Sequence, residues 1–214
     1  MAINPTLAED AATRSLFPMP QAGETFVLKR DSINFECTLP RGGKLSGKGA
    51  FYLTTKRIVF VAEKSSRPDF TSFEVPLGHL ANAAEPKFNQ PIFGANYLSG
   101  EAVPETPADA NSPLAGGATK WSLTFISGGA GTFLPLFFKL LDDIRRTPGR
   151  NSLANAAQQG RLNQVAYVDP SDPSVLYLSQ PAAAPGSEEV TAFEIEEPSA
   201  PPAPPAQRNR WFWW

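Results

Sequence analysis

The stretch Gly47-Lys48-Gly49-Ala50-Phe51-Tyr52-Leu53-Thr54-Thr55-Lys56-Arg57-Ile58-Val59-Phe60-Val61-Ala62 decides how this chain folds. It divides into two β-rich runs, residues 49–53 and 57–62, joined at Thr54-Thr55-Lys56. The second run, Ile58-Val59-Phe60-Val61-Ala62, is apolar at odd and even positions alike. β-branched side chains lose rotamer freedom in a helix and pack well on a pleated surface, so the run predicts a strand buried on both faces.

Period-2 alternation continues on both sides of this stretch. Upstream, Phe26 and Leu28 alternate with polar neighbours, and Ile33, Phe35, Cys37 and Leu39 repeat the pattern after Arg30-Asp31. That arrangement predicts a first hairpin with a tight turn at Arg30-Asp31. Downstream, short strands are expected around residues 72–75, 80–87 and 96–102, and a last one carries Trp121, Leu123 and Phe125. Residues 104–118, PETPADANSPLAGGA, form a loop long enough to be functional or disordered. From Thr132 the period changes: Leu134, Phe137, Phe138, Leu141 and Ile144 recur at helical spacing. Thr132 suits an N-cap, Pro135 the first turn, and Pro148-Gly149 a stop. About seven strands followed by one helix exclude a βαβ fold, in which parallel strands need repeated helical crossovers. The expected class is mainly β, a small antiparallel barrel or bent sandwich capped by one C-terminal helix.

Charge and proline divide the chain into three. Its 214 residues carry 22 prolines, about twice ordinary usage, and a formal net charge of −2. Residues 1–23 are net −1 and read as a flexible N-terminal arm. Residues 24–147 hold 14 Lys/Arg against 12 Asp/Glu, net +2, and read as the domain. Residues 148–214 are net −3, hold 10 of the prolines and read as a low-complexity, disordered Pro/Ala/Glu-rich tail. Within that tail, residues 153–162 have weak helical character, and Val175-Leu176-Tyr177-Leu178 suits either an added strand or a docking segment. No global charge marks the chain for sequence-specific nucleic acid. The uncharged run 121–138 is interrupted by Ser127-Gly128-Gly129-Ala130-Gly131-Thr132 and Pro135, which excludes a membrane span there. With one cysteine, no secretory signal and no transit peptide in the first twenty residues, the expected location is intracellular, in cytoplasm and nucleus or peripheral on membranes.

Few residues suit catalysis, and no enzyme, cofactor or metal site is expected. Cys37 shares the parity of Ile33 and Phe35 and reads as core, while His79 has no serine elbow near it. One Cys and one His cannot supply a four-ligand zinc site. Asp142-Asp143 read as a solvated helix face, because adjacent carboxylates on a helix do not face each other. The glycine-rich 127–132 segment before a helix suggests a phosphate cradle but lacks the Walker Lys-Ser/Thr ending, and a plain turn accounts for it. Lys44, Lys48, Lys56, Arg57, Lys64 and Arg67 fall on two neighbouring strands and their loops. They suit solvated strand edges protected by charge first, and a basic edge that holds a phosphorylated headgroup second. Pro201, Pro202, Pro204 and Pro205 provide PxxP spacings for SH3-type or WW-type modules, or a solubilising linker. Trp211, Phe212, Trp213 and Trp214 are costly in water and should fold back, enter a partner or meet a membrane interface.

The quoted stretch, residues 47–60, resembles the core of a GRAM domain. Phe88-Asn89-Gln90-Pro91-Ile92-Phe93-Gly94-Ala95-Asn96-Tyr97 resembles a segment of the WW-domain-binding protein 2 family, and Leu123-Thr124-Phe125, Gly128-Gly129-Ala130 and the helix continue the correspondence. The resemblance covers residues 24–147. It implies a pleckstrin-homology-like barrel and a non-enzymatic adaptor, with phosphoinositide membranes and WW-domain proteins as partners. Transcription coactivation in the nucleus is the alternative it implies. The family's PPxY motif is absent, because neither proline pair is followed at the right spacing by tyrosine.

Overall fold

Alternating apolar residues build a curled antiparallel main sheet and a small two-stranded ribbon, and among the described residues one long helix packs across the open side of the main sheet. The structure is a computed structural model and describes residues 1–104, 109–146, 152–162 and 174–181. In chain order its elements are β1 (Ala2–Ile3), β2 (Leu7–Glu9), β3 (Leu16–Pro18), β4 (Phe26–Thr38), β5 (Lys44–Thr54), β6 (Arg57–Ser65), β7 (Ser72–Pro76), α1 (Leu77–Ala81), β8 (Lys87–Asn89), β9 (Tyr97–Ala102), β10 (Thr119–Phe125), α2 (Ala130–Arg146), α3 (Ser152–Gln158) and β11 (Val175–Leu176). The strand order is β1-β7-β6-β5-β4-β10-β9-β8, with β11 added to β4. The result is the expected mainly β, pleckstrin-homology-like half-barrel.

The core lies between the sheet and α2. Phe35 stacks on Phe60 at 4.9 Å, with Phe70 and Phe73 beside them. From α2, Phe133 meets Phe51 edge-on at 5.1 Å, and Leu136, Phe137, Leu140 and Leu141 are buried behind it. Fully burying a side chain of this size contributes roughly 1.5–3 kcal/mol relative to leaving it in water.

The doubly apolar strand is explained by two covers. Ile58 and Phe60 of β6 face this main core, whereas Val59 and Val61 face a second cluster with Leu7, Ala8, Phe17, Phe26 and Tyr52. The second cover is the β2–β3 ribbon, so residues 1–23 do not hang free as the expected arm would. β1 also pairs with β7, and Asn4 Oδ1 accepts hydrogen bonds from the backbone N–H groups of Thr71 (2.9 Å) and Ser72 (3.2 Å). The physical reason is on β6 itself: apolar side chains on its outer face need something to exclude water from them.

Three local expectations change. No turn forms at Arg30-Asp31. β4 runs straight through as one strand, and the register with β5 shifts between Arg30 and Ile33 as a bulge, with Ser32 at φ 58°. β5 is long enough to pair with the whole of β4, which removes any need for a hairpin. Residues 80–87 are not a strand: Leu77 and Leu80 are three apart and both fully buried, and that spacing makes α1. α2 begins at Ala130, two residues before Thr132, which is itself buried in the first turn. Pro135 therefore lies beyond the first turn and removes the bond to the Gly131 carbonyl.

The tail contributes to the fold before it leaves the described residues. α3 buries Leu153, Ala156 and Ala157, and its Ser152 Oγ donates to Asp143 Oδ2 at 2.6 Å. β11 fills the edge of β4 that β10 leaves open. β10 pairs with residues Ile33 to Thr38 only, and Val175 and Leu176 pair with Lys29 and Leu28. Tyr177 N–H then donates to Val27 O, and the Gln180 amide bonds both the N–H and the carbonyl of Phe26.

Candidate interaction surface

Side chains alternate across a strand, so the residues opposite the core fall into rows on the outer face of the sheet. One row reads Lys64, Lys48, Asn34, Thr124, Tyr97, Asn89 across β6, β5, β4, β10, β9 and β8. The next reads Ser46, Glu36, Ser122, Ser99, Lys87, and the third reads Lys44, Thr38, Lys120, Glu101. The face thus carries five lysines against two glutamates. Lys44, Lys48, Lys64, Lys87 and Lys120 are exposed. Among the described residues, the side chains of the first four make no ion pair, and the Lys120–Glu101 pair at 4.0 Å is too solvated to count for much. Lys48 and Lys64 stand directly opposite each other, an arrangement of like charges that destabilises a strand pair.

Of the six basic residues expected to share one edge, Lys44, Lys48 and Lys64 do. Lys56 lies at the far end of β5, where its ammonium donates to Ala22 O. Arg57 turns inward. Its Nε donates to Glu24 Oε1 at 2.8 Å, its Nη1 pairs with Glu74, and its Nη2 donates to Met19 O at 2.7 Å. Its side chain is 5% exposed, and that of Glu24 is 0% exposed, so it belongs to the interior. Arg67 pairs with Asp69, whose carboxyl is held below its usual range by hydrogen bonding to that guanidinium. Both line an apolar cleft of about 780 Å³ floored by Leu39, Leu45, Phe70 and Leu114. Lys87 and Lys120 were not singled out by sequence, because only the strand order brings them to this face. Pro201, Pro202, Pro204, Pro205, Trp211, Phe212, Trp213 and Trp214 lie outside the described residues.

The phosphate-cradle idea changes. Arg30 is buried and donates to the carbonyls of Gly128 (3.1 Å) and Ser127 (2.6 Å), so this turn presents acceptors to an arginine. His79 sits on α1, with Nδ1 3.4 Å from the Met1 amino group. Among the described residues, no group of three or more His, Cys, Asp or Glu is placed to hold a metal, and no helix is long and apolar enough to cross a membrane.

Cys37 is buried between β5 and β10, and burial pushes its thiol up to about 12. Native protein is therefore expected to leave the thiol unlabelled by a maleimide or disulfide reagent at neutral pH, and to react only once denatured. The raised value also sets a sign: above the ordinary thiol range the unfolded chain loses this proton first, so stability falls as pH climbs from 9 towards about 12. Urea titrations across that window check the slope.

No family model matches the chain. Rat and human WW domain-binding protein 2 are each 30% identical to it over 148 residues, 69% of this chain and 48% of theirs. A stress-induced protein of Schizosaccharomyces pombe is 46% identical over 57 residues, 27% of this chain and 30% of its own. The postacrosomal sheath WW domain-binding protein of Macaca fascicularis is 27% identical over 125 residues, 55% and 45% of the two chains. The matches thus span less than half the length of these relatives. The chain is related in sequence to the WW domain-binding protein 2 family, which it resembles over about two thirds of its own length.

Proposed function

We propose that this chain is a non-enzymatic adaptor whose lysine-bearing face docks on phosphorylated lipid headgroups while its proline-rich tail recruits protein partners. The observation that carries the lipid half is the direct opposition of Lys48 and Lys64, with Lys44, Lys87 and Lys120 on the same face. Opposed lysines destabilise the strand pair, and an anion held between them by charge-assisted hydrogen bonds would offset that repulsion. The protein half is supported by the names of the relatives, which describe them as binding WW domains. Without PPxY, the PxxP spacings at Pro201 to Pro205 suit SH3-type grooves or a WW domain of other preference.

Co-sedimentation of the full chain with phosphatidylcholine vesicles, with and without phosphoinositide, tests the lipid half. Lys48→Glu/Lys64→Glu is expected to lower phosphoinositide-dependent binding by about tenfold or more, while Lys56→Glu, off the face, leaves it unchanged. Equal binding by all three proteins, or none by the parent chain, overturns it. In the latter case a coregulator acting through protein contacts in the nucleus becomes the better reading.

A further inference from the structure

The most exposed large apolar side chains described are neighbours: Ile92 is 94% exposed and Phe93 is 91% exposed. They form the tip of the hairpin between β8 and β9, in Gln90-Pro91-Ile92-Phe93-Gly94, where Gly94 takes φ 104°. The base of this hairpin is fixed. Asn89 pairs with Tyr97, Asn89 Nδ2 donates to Ser99 Oγ at 3.2 Å, and Asn96 O accepts from Phe125 N–H at 2.9 Å. Ile126, half-exposed at 46%, projects at the same end of the sheet, where its N–H donates to Ser32 O. Asp31, beside Ser32, is paired with Lys29 at 3.0 Å.

The hairpin base also closes the row that ends in Lys48 and Lys64. Tyr97 and Lys48 lie three strands apart, about 14 Å at ordinary strand spacing. An apolar tip, a half-buried tyrosine at its base and two uncompensated lysines therefore follow one another along one row. That order matches the layers of a bilayer surface, where acyl chains give way to an interfacial zone that favours amphipathic aromatics and then to phosphate.

We propose that residues 91–94 are a membrane-inserting tip: Ile92 and Phe93 enter the interfacial zone of an anionic phospholipid bilayer while Lys48 and Lys64 meet its phosphates. The inference rests on the lysine-face reading above and adds the apolar contact that reading lacks. A bilayer fits better than a protein groove because of area. Two side chains at a loop tip offer a few hundred Å² at most, well short of the roughly 800 Å² per partner of a stable protein interface. Lipid needs no complementary pocket, and the insertion term adds to the electrostatic one.

The test uses the full chain. Cys37 is buried at 2% exposure, so an Ile92→Cys variant offers an environment-sensitive fluorophore one accessible thiol among the described residues. The probe is expected to shift to the blue on vesicles of phosphatidylcholine with phosphatidylserine, and to be quenched by a lipid-borne quencher near the headgroups. Ile92→Ser/Phe93→Ser should bind these vesicles about tenfold more weakly with an unchanged melting temperature. An unshifted probe on bound vesicles, or a double serine variant that binds like the parent, overturns the insertion while leaving the lysine face intact. Insertion into neutral vesicles that survives Lys48→Glu/Lys64→Glu overturns the lysine face instead. Self-association of the parent chain that the serine variant abolishes would assign the tip to a second copy, against this proposal.

Discussion

Arg57→Ala is expected to cost about 3–5 kcal/mol of folding stability, the usual result of removing one partner from a buried ion pair. The guanidinium sits between Glu24 and Glu74, and Glu24 Oε1 also accepts the Thr54 hydroxyl at 2.8 Å. Without the arginine, two carboxylates share a water-poor site, and the Met19 carbonyl loses its donor. Glu24 and Met19 flank the turn that leads from the β2–β3 ribbon into β4, so the second hydrophobic cluster should loosen with them. Arg57→Lys keeps the charge but not the fork that reaches both carboxylates, and should fall between the two. Urea melts of the three proteins check the order. The result also bears on any lipid assay: Arg57→Glu would lose binding by unfolding, so charge reversal informs on the face at its exposed lysines, Lys44, Lys48, Lys64, Lys87 and Lys120, and not at Arg57.

Gly49→Ala is expected to cost about 3 kcal/mol, at the upper end of overpacking effects, because the obstacle is backbone. A Cβ at Gly49 would overlap the Val61 carbonyl oxygen and lie 2.9 Å from both Ala62 Cα and Glu63 N. This is where the β5–β6 register shifts, so relieving the clash means rebuilding the bulge. Gly131→Ala is the contrast. A Cβ there meets nothing within 4 Å in the first turn of α2, and exchanging glycine for alanine in a helix should stabilise by roughly 0.5–1 kcal/mol. Thermal melts should therefore move in opposite directions for the same chemical change.

Arg57 and the strand it opens show what sequence reveals and what it hides. Ile58 to Val61 announced a strand buried on both faces, because composition at successive positions is local information. The same run implied a second cover, and Leu7, Leu16 and Phe17 were present to supply it, but their alternation is too short to stand out without a partner. Arg57 looked like its neighbours Lys56 and Lys64. Its burial depends on Glu24 and Glu74, which are distant in sequence and adjacent only once β4, β6 and β7 align. Lys87 and Lys120 were hidden for the same reason, since the β10–β4 and β9–β8 pairings put them on the face. The Ile92-Phe93 tip could be read as a motif but not as exposed, because period-2 patterns do not separate a loop apex from a strand end.

The three-partner role of β4 has a consequence for synthesis. Its outer edge is covered by β10 along one half and by β11 along the other, and both arrive much later in the chain than β5. As the protein leaves the ribosome, β4 to β7 can zip by neighbour contacts while that edge still offers unpaired N–H and C=O groups. Non-local pairings of this kind close slowly. During the interval the nascent sheet has an adhesive border, and chaperones that shield strand edges should associate with chains halted before Thr119 and release those extended past Gln180.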